Sequence, residues 1–154
     1  MNRIASLLFM VVISLSTLAQ TQDPLRKKHF NLEGNLAIDG YDPVAYFVQG
    51  KAIKGKKEMA VIHEGVLYYF SSVANKEEFK KNPGKYEPQY GGWCAYAMGA
   101  ENEKVKVDPK TFKVVDGKLY LFYNKFFNNT LTEWNKYESN LKSKANKNWS
   151  AIYH

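Results

Sequence analysis

The chain has 154 residues, of which 45% are hydrophobic, 15% aromatic and 24% charged. That is the composition of one globular domain with a core, and it excludes a disordered tail, a collagen-like fibre and a polytopic membrane protein. The net charge is +7, but only Arg3 and Arg26 are arginines, so the planar fork that grips phosphate and guanine is almost absent and the balance argues against nucleic-acid binding.

Residues 1–19 have the layout of a secretory signal: Arg3 supplies the positive start, Ile4 to Leu18 an apolar run, and Thr17-Leu18-Ala19 the small residues of a cleavage site after Ala19. The apolar run is shorter than the ~20 residues a bilayer span needs, so no transmembrane segment is expected after cleavage, and a periplasmic or secreted location is. The polar residues 20–36, with Asp23-Pro24 and Arg26-Lys27-Lys28, predict a linker into a domain spanning residues 37–154.

Within that domain, Ala37 to Pro43 is turn-rich, with Asp39 and Asp42 suited to Asx-turns, and Val44 to Phe47 predicts a short strand. Met59 to Ile62 and Val66 to Phe70, split by His63-Glu64-Gly65, predict a hairpin. A helix follows from about Ser72 to Lys81, with Asn75 and Glu78 spaced as a cap and its partner, and Asn82-Pro83-Gly84 ends it. The same unit returns 52 residues later, with Phe112 to Val115, the turn Asp116-Gly117 and Lys118 to Tyr123; Leu67, Tyr68, Phe70 and Phe79 then match Leu119, Tyr120, Phe122 and Leu131. Two lobes follow, each a hairpin packed on its own helix. The last helix begins with the capping box Thr130 to Glu133, and its apolar stripe runs through Leu131, Trp134, Tyr137 or Glu138, Leu141 and Ala145. Strands and helices do not alternate in the βαβ manner, so the fold class is α+β: two antiparallel hairpins each followed by a helix, the C-terminal one long.

The densest chemistry lies in Gly91 to Gly99, GGWCAYAMG, around the chain's one cysteine. If Trp93 to Met98 makes a helical turn, Cys94 and Met98 fall at i and i+4 and their sulfurs share a face, a donor pair suited to a soft ion such as copper(I). A helix start after Gly91-Gly92 would also make the thiol nucleophilic. A thiol in an oxidising compartment normally finds a partner within its own chain, which a lone Cys94 cannot. It is therefore a metal or redox thiol, a buried inert thiol, or half of an intermolecular disulfide. His29 lies in the linker and His154 ends the chain, leaving His63 as the nitrogen ligand or general base within the domain. There is no Cys-x-x-Cys, HExxH, phosphate loop or Ser/His/Asp order, which argues against an enzyme of independent turnover and against a bound organic cofactor. An alternative from another class is a non-catalytic interaction module. In it Cys94 is structural, and Tyr90, Trp93 and Tyr96 dock a partner protein or envelope component.

Asp42-Pro43-Val44, Leu67 to Ser72 and Phe79 to Tyr86 together resemble the YHS domain, a module of metal-handling proteins. The stretch Asp39 to Trp149, with DGYDPVAYF, YGGWCAYAMG and VDGKLYLFYNK, is similar to exported YHS domain-containing proteins, some of which carry selenocysteine. The resemblance implies metal or redox chemistry at a chalcogen, a place that only Cys94 can hold. It also implies cysteines after the Asp-Pro-Val, after the Tyr-Phe and in the next helix, where this chain has Ala45, Ser71 and Ser72, and Ala74 or Asn75.

Overall fold

The computed structural model describes residues 23–154, so the expected signal lies outside the described residues. Helix α1 (Pro24–His29) is followed by the short strands β1 (Leu32–Glu33) and β2 (Leu36–Ala37), a tight turn at Ile38–Gly40 and helix α2 (Ala45–Val48). The hairpin β3 (Lys56–His63) and β4 (Val66–Phe70) leads into α3 (Val73–Lys81) and α4 (Pro83–Tyr86). After a second tight turn at Gln89–Gly92 come α5 (Ala95–Ala100), the hairpin β5 (Asp108–Val115) and β6 (Lys118–Phe122), a miniature hairpin β7 (Asn124–Lys125) and β8 (Asn128–Asn129), and α6 (Thr130–Ile152). The fold is α+β with a long C-terminal helix, as the pattern implied.

The 52-residue repeat runs through the backbone as well as the hairpins. The parallel bridge Leu36↔Leu67 recurs as Pro88↔Leu119. The pairing Lys56↔Phe70, followed by a bulge, recurs as Asp108↔Phe122, also followed by one. The left-handed run Ile38-Asp39-Gly40 recurs as Tyr90-Gly91-Gly92, and the hairpin turn Glu64-Gly65 as Asp116-Gly117. In the first lobe Phe79 of α3 lies against Tyr68 and Phe70, at ring-centroid distances of 4.9 and 5.1 Å. In the second, Trp134 of α6 lies against Tyr120 and Phe122, at 5.6 and 5.5 Å. Trp134, not the expected Leu131, is thus the counterpart of Phe79. The shift arises because β7 and β8 are inserted between β6 and its helix, where the first lobe runs directly from Phe70 through Ser71 and Ser72 into α3.

Two apolar cores result, and β6 is the wall between them. Leu119 and Leu121 face the first core with Val66, Tyr68 and Phe70; Tyr120 and Phe122 face the second with Met98, Trp134 and Leu141. A strand buried on both sides needs apolar residues at consecutive positions, which is how Leu119 to Phe122 reads. By contrast β4 buries only Val66, Tyr68 and Phe70 fully, the alternation of a strand with one core face. Helix α5 lies so close to α6 that a Cβ at Gly99 would sit 2.5 Å from the Leu141 carbonyl oxygen.

Four local expectations are corrected. Residues 24–36 are not a linker: Arg26 is buried, ion-paired to Glu64 and Glu87 and stacked over Phe30, and it ties α1 to the first lobe. Burial works against its charge; Glu87, by hydrogen bond and field, with Tyr68 and Glu64, outweighs that and raises the guanidinium pKa. Val44 to Phe47 belongs to a helical turn rather than a strand, because Asp42 Oδ1 accepts from the Val44 and Ala45 N–H groups and caps it. Ser72, not Asn75, caps α3, its Oγ accepting from Asn75 N at 3.1 Å. Asn129, not Thr130, caps α6, and Tyr137 drops off the apolar stripe into solvent where the helix departs from helical angles.

Candidate functional site

Cys94 is the last residue before α5, with non-helical backbone angles (φ −57°, ψ 117°). Its N–H donates to Val105 O at 2.9 Å and its carbonyl accepts from Met98 N at 3.0 Å, so the loop holds it from both sides. Sγ accepts from Tyr123 N–H at 3.3 Å and lies 3.4 Å from Thr130 Oγ1. Thr130 has one hydroxyl proton, and it goes to Tyr123 O at 2.9 Å. The Cys94 S–H is therefore the donor to Thr130 Oγ1, and the sulfur closes a ring of bonds linking α5, β6 and α6.

The repeat gives this position a counterpart. Asp42, 52 residues earlier, likewise donates its N–H to the carbonyl of a following loop, Ile53 O at 2.8 Å, as Cys94 does to Val105. Ser71 N–H donates to Asp42 Oδ2 at 2.8 Å, as Tyr123 N–H does to Cys94 Sγ. The buried carboxylate also receives Ser71 Oγ at 2.6 Å and Asn75 Nδ2 at 2.8 Å. Three of the residues standing where the resemblance implied cysteines, Ala45, Ser71 and Asn75, are thus all bonded to Asp42. A hydrogen-bonded hub occupies the place of a thiolate set, and Asp42 does the Asx-type work expected of it.

In the second lobe the corresponding neighbourhood opens into a pocket of about 350 Å³, lined by Cys94, Tyr96, Ala97, Glu101, Val105, Tyr123, Asn128, Thr130 and Glu133. Cys94 is buried in its wall, with 0% of its surface exposed. Neither Met98 nor His63 is among the lining residues. Met98 packs in the second core and Cys94 in the first, because Cys94 precedes the helix and the i, i+4 geometry of a helical face does not govern its side chain. His63 lies at the end of β3, its ring edge-on to Phe79 and its Nε2 3.8 Å from Glu64. Among the described residues no three His, Cys, Asp or Glu side chains gather to hold a metal ion. Cys94, Met98 and His63 thus do not line one common pocket. Of the aromatic residues expected at a docking surface, Tyr90 is buried with its hydroxyl on Asn146, Trp93 donates its indole N–H to His29 O, and Tyr96 lines the pocket.

Thr130, Tyr123 and Asp42 emerge as site-building residues that pattern reading did not group. Extending the 52-residue match from the hairpins into the preceding loops, where Gly40-Tyr41-Asp42 aligns with Gly92-Trp93-Cys94, is the signal that finds them. Compared with known families, the chain matches the YHS domain over residues 44–90, a family to which metal binding is ascribed. No curated protein and no solved structure matches it. The match begins two residues after Asp42, takes in the first hairpin and its helix, and ends four residues before Cys94.

Proposed function

We propose, for a chain whose residues 44–90 match the YHS domain, that function resides beyond that stretch. In an exported, periplasmic or secreted protein, the Cys94 thiol meets a small molecule entering the adjacent pocket. The observation that carries this reading is the contrast between the two lobes. The Asp42 position is filled by five hydrogen bonds from its own lobe, whereas its counterpart Cys94 borders a 350 Å³ pocket. The chemistry that suits it is thiol–disulfide exchange. Cys94 Sγ attacks one sulfur of a small disulfide, a new S–S bond forms, the old one breaks, and the released sulfur leaves as a thiolate that takes up the proton Cys94 gives away. With no second cysteine in the sequence to resolve it, the mixed disulfide persists until an external thiol removes it. The protein would thus carry or sense a thiol rather than turn one over alone.

Because Cys94 has no exposed surface, half-buried Tyr96 or Tyr123 must swing aside first, and the reaction is gated by local opening. Iodoacetamide labelling of the chain beginning at Gln20 tests this. The expected result is one adduct, absent in Cys94→Ser, formed at a rate that stays flat across denaturant concentrations below the unfolding transition. A labelling rate that tracks global unfolding would mean that the thiol is a structural plug.

A further inference from the structure

We propose that the β7–β8 hairpin docks the protein on an anionic bilayer surface through Phe126 and Phe127. Asn124 pairs with Asn129 and Lys125 with Asn128, which leaves the two phenylalanines as the loop itself, at φ 52° and 62°. Phe126 is 89% exposed and Phe127 fully so; they are the only adjacent pair of large exposed apolar residues among the described residues, and neither belongs to a core. A two-residue loop with both φ values positive favours Asn-Gly, and bulky residues there are strained. Turn geometry therefore does not account for these side chains. Nor does the fold require the hairpin, since the first lobe completes the same unit without it.

The shape and charge around the tip indicate its occupant. Two rings at the apex of a narrow hairpin form a convex apolar point, which suits a deformable apolar medium. Lys125 on β7 and Lys110 on β5 are exposed beside it, the two strands being joined by Asn124 Nδ2 to Thr111 Oγ1 at 3.0 Å. Of the carboxylates nearby, Asp108 accepts from Lys110 N and Thr111 Oγ1, Glu133 accepts from Lys136 Nζ at 2.7 Å, and Glu101 lies on the pocket wall. Residues 23–154 carry 21 basic and 15 acidic side chains, and that excess complements an anionic surface. Asn128 of β8 and Thr130, the first residue of α6 directly after the hairpin, both line the pocket, so docking would bring the Cys94 pocket to the lipid headgroups. The proposal does not depend on the thiol reading and fails or stands separately.

Co-sedimentation of the chain from Gln20 with phosphatidylglycerol-containing vesicles tests it, against the double variant Phe126→Asn with Phe127→Gly. That variant gives the turn its preferred residues, so its thermal unfolding should match or exceed the parent's. The expected result is a loss of vesicle partitioning of at least about tenfold in the variant, with parent binding that weakens as salt rises. Equal partitioning of the two proteins overturns the proposal. So does a parent chain that leaves anionic vesicles untouched.

Discussion

Trp134→Ala is expected to destabilise the protein by about 3–5 kcal/mol, the range for emptying a fully buried aromatic site. Trp134 has no exposed surface and forms the wedge between α6 and β6, with Tyr120 and Phe122 against its ring. Trp134→Phe is expected to cost only about 1–2 kcal/mol: its counterpart in the first lobe is Phe79, and the indole N–H it discards has no partner in the interior. Because β6 walls both cores, denaturant melts of Trp134→Ala should stay single and cooperative while shifting to lower midpoint. Loosening α6 also frees the Thr130 side of the pocket, so Cys94 should label faster in this variant under native conditions. A Trp134→Ala protein within about 1 kcal/mol of the parent would show that the second lobe is not built on this wedge.

The elements that pattern reading recovered are those whose partners are near in sequence. The two hairpins announce themselves by β-rich runs split by turns with Gly65 and Gly117, and α6 by Trp134, Leu141 and Ala145 on one side. What it missed depends on residues far apart. Arg26 sits between Pro24-Leu25 and two lysines and reads as solvated; its burial is decided by Glu64 and Glu87, 38 and 61 positions away. Val44 to Phe47 has the composition of a strand, and Asp42 overrides that propensity by capping. Cys94 and Met98 pack in different cores because Cys94 is the cap of α5, and a residue at the cap does not share the helical face. The pocket was invisible for a related reason: it exists because Asn124 to Asn129 separate β6 from α6, and an insertion has no periodicity of its own.

Asp42→Ala is the second change expected to be severe, at about 3–5 kcal/mol, and its contrast with Cys94→Ala bears on function. The buried carboxylate collects the N–H groups of Val44, Ala45 and Ser71, the Ser71 hydroxyl and the Asn75 amide. Alanine at that position leaves the backbone donors without their acceptor in a buried site. Only Asn75 has other acceptors close by, Gln49 Oε1 and Ser71 Oγ, each at 3.4 Å. Cys94→Ala removes two weak sulfur bonds, and Thr130 keeps its bond to Tyr123 O, so the expected loss is about 1–2 kcal/mol. Urea unfolding of the two variants measures the difference directly. An Asp42→Ala protein no less stable than Cys94→Ala would mean that the carboxylate does not lock the first lobe, and the contrast that places the chemistry in the second would be lost. With the expected difference, one backbone frame serves two purposes. Where five donors converge on a carboxylate the frame is rigid and closed to ligands, and where a soft, weakly bonded thiol takes the same place the structure can open without unfolding.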